Sequence, residues 1–86
     1  MKKPKKNKPK RVLIYDEIGL KLLAKKLKEV RTKKGYTQEE LAYKADITLS
    51  QIARIETAVT NPTVSTIFCL AKALEINTAE LFDFRL

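Results

Sequence analysis

Apolar residues recur along most of the chain at helical spacing, and nowhere do they alternate for long enough to suggest a strand. Val12-Leu13-Ile14-Tyr15 is too short a run to separate a strand from a lead-in that staples onto the next helix, and the stapling role is preferred. From Asp16, a suitable N-cap, Ile18, Leu22, Leu23, Leu27 and Val30 recur three to five residues apart and predict one apolar face. Lys21, Lys25, Lys28, Lys33 and Lys34 decorate the rest, and Gly35 is placed to end the helix. Thr37-Gln38-Glu39-Glu40 has the form of a capping box and opens a short helix carrying Leu41, Ala42 and Ala45. After an Asp46-Ile47 turn, Thr48-Leu49-Ser50-Gln51 repeats the box ahead of a third helix with Ile52 and Ile55 inward. Ala58 to Pro62 reads as a loop closed by Asn61-Pro62. Thr63 can cap a fourth helix bearing Val64, Ile67, Phe68, Leu70, Ala71 and Leu74, with Cys69 read as a small buried hydrophobe. Asn77 and Glu80 predict a last box for a short fifth helix with Leu81 and Phe82. Tyr36 and Tyr43 are expected to pack with their hydroxyls near solvent. Five short helices with tight links predict a compact all-α domain over residues 12–86.

Charge changes the picture at one end. The 86 residues carry 18 Lys+Arg against 10 Asp+Glu, a formal +8. Seven of the 18 lie in residues 1–11: Lys2, Lys3, Lys5, Lys6, Lys8, Lys10 and Arg11. The remainder is therefore nearly neutral, with 11 basic and 10 acidic residues. Residues 1–11 form a separate basic tail, predicted to be disordered or extended, that either solubilises the chain or lies along a polyanion.

Composition also excludes whole classes of chemistry. No apolar run approaches the roughly 18 residues of a membrane helix. A basic start without an apolar stretch and a small-residue cleavage site is no secretory signal, which predicts a cytoplasmic protein. One cysteine and no histidine leave neither an internal disulfide nor a zinc-ligand spacing. The usual catalytic base is missing, and two glycines make no phosphate-cradling loop, so no enzyme, cofactor or metal is expected.

The stretch Thr37 to Glu56, TQEELAYKADITLSQIARIE, resembles a helix-turn-helix of the lambda-repressor-like, Cro-like class, also called the xenobiotic-response-element family. NPTVSTIFCLAKALEINTAELF looks like the fourth and fifth helices of that family, so the resemblance runs from about Leu22 to Phe82. It implies sequence-specific binding of double-stranded DNA, as a homodimer, by a transcriptional regulator, with repression preferred. In such domains the second helix of the motif enters the major groove. With Ile47, Ile52 and Ile55 inward, Leu49, Ser50, Ala53 and Arg54 face the bases. Arg54 is the strongest reader, because a guanidinium can bond two guanine acceptors at once. Thr37, Gln38, Lys44, Thr48, Thr57 and Asn61 are the candidates for backbone contact, and Thr63 lies near them. In the tail, Lys5, Lys6, Lys8, Lys10 and Arg11 would add phosphate or minor-groove contacts. Arg31 and Glu56 stand where relatives often carry a partly buried ion pair, and they are assigned to structure.

The chain departs from the family pattern at three positions. Asp46 and Ala58 replace glycines common in relatives, and Leu49 replaces a usually polar reader. The C-terminal Phe82, Phe84 and Leu86 are candidates for the dimer seam, which would set two recognition helices about 34 Å apart. The competing reading is an antitoxin, a protein-binding module that masks a toxin through the 12–15 run or the C-terminal end and represses its own operon. A tail-led nonspecific nucleic-acid binder ranks third, since the surface is poor in aromatic groups for base stacking.

Overall fold

The computed structural model describes residues 14–86, so Val12, Leu13 and the basic tail lie outside the described residues. Five α-helices follow one another: α1 Glu17–Lys33, α2 Gln38–Ala45, α3 Leu49–Glu56, α4 Val64–Leu74 and α5 Thr78–Leu81. No strand occurs among the described residues. None of the described helices is long and apolar enough to cross a membrane.

Each of the first four helices starts on a side-chain cap. Asp16 accepts from the Gly19 amide, Thr37 from Glu40, Thr48 from Gln51 and Thr63 from Thr66. Such caps satisfy amides that the helix itself leaves without partners, each worth about 1 kcal/mol. At Thr37 and Thr48 the box is closed from both sides: Glu40 Oε1 accepts the Thr37 amide at 2.8 Å and Gln51 Oε1 the Thr48 amide at 3.0 Å. The box expected at Asn77 does not form, because Asn77 makes no side-chain cap bond.

Helix ends repeat one device. Gly35, Asp46, Ala58 and Glu75 all have φ between 58° and 83°. At each, the left-handed residue and its successor donate back to two carbonyls of the closing turn, as in Ala58 N–H to Ile55 O and Val59 N–H to Arg54 O, both 3.1 Å. A side chain makes this conformation costly, so three of the four ends store strain that only Gly35 avoids.

Leu27, Leu41, Ile52, Leu70, Leu74 and Leu81 are fully buried and form the centre of the core. Burying each contributes about 1.5–3 kcal/mol. α3 packs on both α1 and α2, α4 lies against α2, and α5 closes against α1 and α4.

Several apolar residues of the predicted helices, and Cys69, whose burial the sequence predicts, lie outside the core. Ile18 is exposed because nine residues before Leu27 is two and a half turns, about half a revolution away. Val64 and Phe68 are exposed, and so is Cys69: α4 carries more apolar residues than one core-facing stripe accepts. Although Cys69 is next to Leu70 in sequence, each step turns the helix by about 100°. Tyr43 is 88% exposed, opposite the buried Leu41 and Ala45, whereas Tyr36 packs on the core. Phe82 falls beyond the end of α5 and is half-exposed.

Candidate nucleic-acid interface

The turn between α2 and α3 is short because Asp46 takes the left-handed conformation and Ile47 folds in against the core. α3 restarts at once on the Thr48 cap. Ile52 and Ile55 on its inner side are buried. Turning 3.6 residues per revolution then carries Ser50, Arg54 and Thr57 to the side away from Ile52, where all three are exposed. Leu49, 45% exposed, and the half-buried Ala53 flank this ridge.

Polar partners are few on the outer side. Arg54 Nη1 donates to Ser50 Oγ at 2.8 Å, one turn back along the helix. Thr57 donates its hydroxyl to the Ala53 carbonyl at 2.9 Å, one turn back along the helix, and so closes the helix end. The guanidinium has five N–H donors, and most remain free for another partner.

The inner side is held by a network. Glu56, its side chain 2% exposed, accepts Arg31 Nε at 2.7 Å, Arg31 Nη2 at 3.1 Å and Gln38 Nε2 at 2.9 Å. Arg31 Nη1 donates to the Tyr36 carbonyl at 2.7 Å. One carboxylate thus ties α1, the start of α2 and the end of α3, in the two-pronged geometry that suits arginine and carboxylate. Sequence alone does not show the part taken by Gln38, whose amide points to Glu56 at the start of a helix where an anion could also bind. The backbone amides of that helix end are a separate donor set.

The loop after α3 adds a second polar surface. Asn61 and Thr63 line a shallow hollow with Gln51, Arg54, Thr60 and Thr66. Gln51, Thr60 and Thr66 carry no sequence signal for this surface, because only the fold brings the start of α4 beside α3. Lys44 is placed elsewhere: its ammonium lies 5.4 Å from the centre of the Tyr36 ring, and it borders a hollow shared with Cys69, Lys72 and Glu75. No α3 residue lines that hollow. The tail candidates Lys5, Lys6, Lys8, Lys10 and Arg11 lie outside the described residues.

Comparison with known proteins supplies the family. The helix-turn-helix family profile matches residues 27–81. An uncharacterized HTH-type transcriptional regulator of Sinorhizobium fredii, y4dJ, is 34% identical over 61 residues, covering 71% of this chain and 79% of its own length. Among solved structures, the restriction-modification controller protein C.AhdI of Aeromonas hydrophila is 36% identical, with a TM-score of 0.72 over 73% of this chain and 96% of that one. The wild-type restriction-modification controller protein C.Esp1396I is 31% identical, with a TM-score of 0.73 over 79% of this chain and 88% of that one. With the profile spanning more than half of its length, the chain belongs to the helix-turn-helix family of DNA-binding transcription regulators.

Proposed function

We propose that the protein is a cytoplasmic, sequence-specific repressor that binds duplex DNA as a homodimer, with α3 in the major groove. One observation carries the reading: α3 is bolted to the core along one side and presents Ser50, Arg54 and Thr57 on the other. A helix whose backbone cannot shift can aim a few side chains at fixed base edges. Arg54 reads guanine through O6 and N7, contributing about 1–3 kcal/mol of discrimination. Leu49 and Ala53 supply apolar contact and close approach, and Ser50 either donates or accepts.

Phosphate contact is assigned to the α2 and α3 starts at Thr37, Gln38 and Thr48, and to Thr57 and Asn61 beside the α3 end. Lys44 is left out of the proposal, because it faces Tyr36 and α4. Residues 1–11 serve as a basic arm on the phosphates and 12–86 as the DNA-binding domain. The homodimer reading is supported by a mainly apolar groove in which Ile14, Val64, Phe82 and Leu86 meet while still largely open to solvent.

The deciding experiment is selection from a random duplex library at near-physiological salt. An enriched inverted repeat with half-sites about one helical turn apart is the expected result. Binding without enrichment would mean that charge alone holds DNA. No binding would sink the reading and turn attention to a protein partner such as a toxin.

A further inference from the structure

Arg54 is the one charged side chain on the outer side of α3, and the fold gives it a single side-chain partner. Its Nη1 donates to Ser50 Oγ at 2.8 Å, and no ion pair reaches the guanidinium among the described residues. Glu56, the only carboxylate of α3, is committed to Arg31 and Gln38. Among the residues that line the hollow beside the α3–α4 loop, Arg54 alone carries charge. Other acceptors on α3 are spoken for or missing: Gln51 Oε1 serves the Thr48 cap, Thr57 donates to the Ala53 carbonyl, and Leu49 and Ala53 have no polar side-chain atom. A spacing of four residues sets Ser50 one turn from Arg54 on the same face, which makes it the natural anchor. The bond takes the Nη1 side and leaves Nε and Nη2 without a partner in the described chain. Those two nitrogens form one edge of a planar group, and two parallel N–H bonds from such an edge match the paired acceptors of guanine.

We infer that Ser50 is a positioning residue for Arg54, holding Nη1 so that the Nε–Nη2 edge is already set toward the groove when DNA arrives. The inference rests on the DNA-binding reading above and narrows the part of Ser50 in it. An arginine without a partner on a helix surface samples many rotamers, and binding has to freeze them. Ser50 removes part of that cost in advance, through a hydrogen bond strengthened by the charge on its donor. Neither end of the bond can drift, because the buried Ile52 and Ile55 hold the backbone between and beside the two residues. The Ser50 oxygen is thus already engaged, and Ser50 acts through Arg54 rather than on a base of its own.

The test is a cycle of four chains: wild type, Ser50→Ala, Arg54→Ala, and the two changes together. Each is titrated with the duplex selected by the wild type, with duplexes changed one base pair at a time, and across a range of salt. Alanine suits an exposed helical position, so Ser50→Ala should keep the fold, which the denaturation midpoint checks. It is expected to weaken binding about two- to tenfold, the cost of ordering one long side chain only at the moment of binding. The loss should fall on the guanine pair that Arg54→Ala identifies. The salt dependence should keep its slope, since no phosphate contact is removed. In the Arg54→Ala chain the same substitution should cost less than about twofold, because the group it positions is gone. Equal loss in both backgrounds, or loss at a base pair that Arg54→Ala leaves alone, would overturn the inference and make Ser50 a reader in its own right. An effective Arg54→Ala with a silent Ser50→Ala would overturn the positioning alone. A silent Arg54→Ala would overturn the reading of guanine by Arg54, and the inference with it. A second measurement needs no DNA. The NMR order parameter of the Arg54 Nε–H bond should fall in Ser50→Ala toward the flexible range, below about 0.6. An equal order parameter in the two chains would refute the anchor.

Discussion

The two sides of α3 obey different rules. On the inner side, Ile52 and Ile55 are buried and Glu56 accepts three hydrogen bonds from two other segments. On the outer side, Arg54 and Ser50 bond each other and otherwise face solvent. Eight residues therefore carry both a foundation and a working surface. Changes on the inner side should register as lost folding, and changes on the outer side as lost binding with folding intact.

The sharpest way to break this division is at Glu56. Glu56→Ala leaves Arg31 buried without its counter-charge and should cost about 3–5 kcal/mol, read as a fall in the denaturation midpoint. Loss of DNA binding would accompany it, although Glu56 need not touch DNA. A midpoint unchanged within about 0.5 kcal/mol would contradict the inner side as foundation. Ile52→Ala tests the same side through packing, with an expected cost of about 2–5 kcal/mol. Arg54→Ala tests the outer side: stability stays within about 0.5 kcal/mol, while affinity for the selected site falls by about 1–3 kcal/mol. An equal loss for unrelated duplexes would reassign Arg54 to phosphate. The smallest effect is at the helix end. Ala58→Gly relieves a left-handed alanine but adds chain entropy, for a net gain of about 0.5–1 kcal/mol in the same denaturation experiment. A loss of stability there would refute the strain argument.

The inner side of α3 is legible in the sequence because its signals are local. Thr48 and Gln51 lie within one turn, and Ile52 and Ile55 repeat at helical spacing. Arg31 and Glu56 stand out through the family resemblance, and their bond is the shortest ion pair in the described structure. The bond from Gln38 is not legible, because periodicity carries no information about which distant polar atom an amide meets. The bond from the Tyr15 hydroxyl to the Ala58 carbonyl, 3.0 Å long, is hidden for the same reason, its partners being 43 residues apart. Phe68, Cys69 and Ile18 mislead differently. Their apolar character is plain and their direction is not, since an apolar residue can lie outside the stripe that faces the core. Ala58 can be recognised as a candidate left-handed residue, but Glu75 gives no such signal, and its conformation follows from the closure of α4.

The outward turn of Cys69 gives the protein a single chemical address. It is the one thiol of the chain, and it stands on α4 in a hollow that no α3 residue lines. A thiol-reactive spin label would attach there without occupying the outer side of α3. In an assembly of two copies, two labels would then give one distance. That distance would report how the copies are arranged on an operator and in free solution, and whether DNA selects the arrangement or merely receives it.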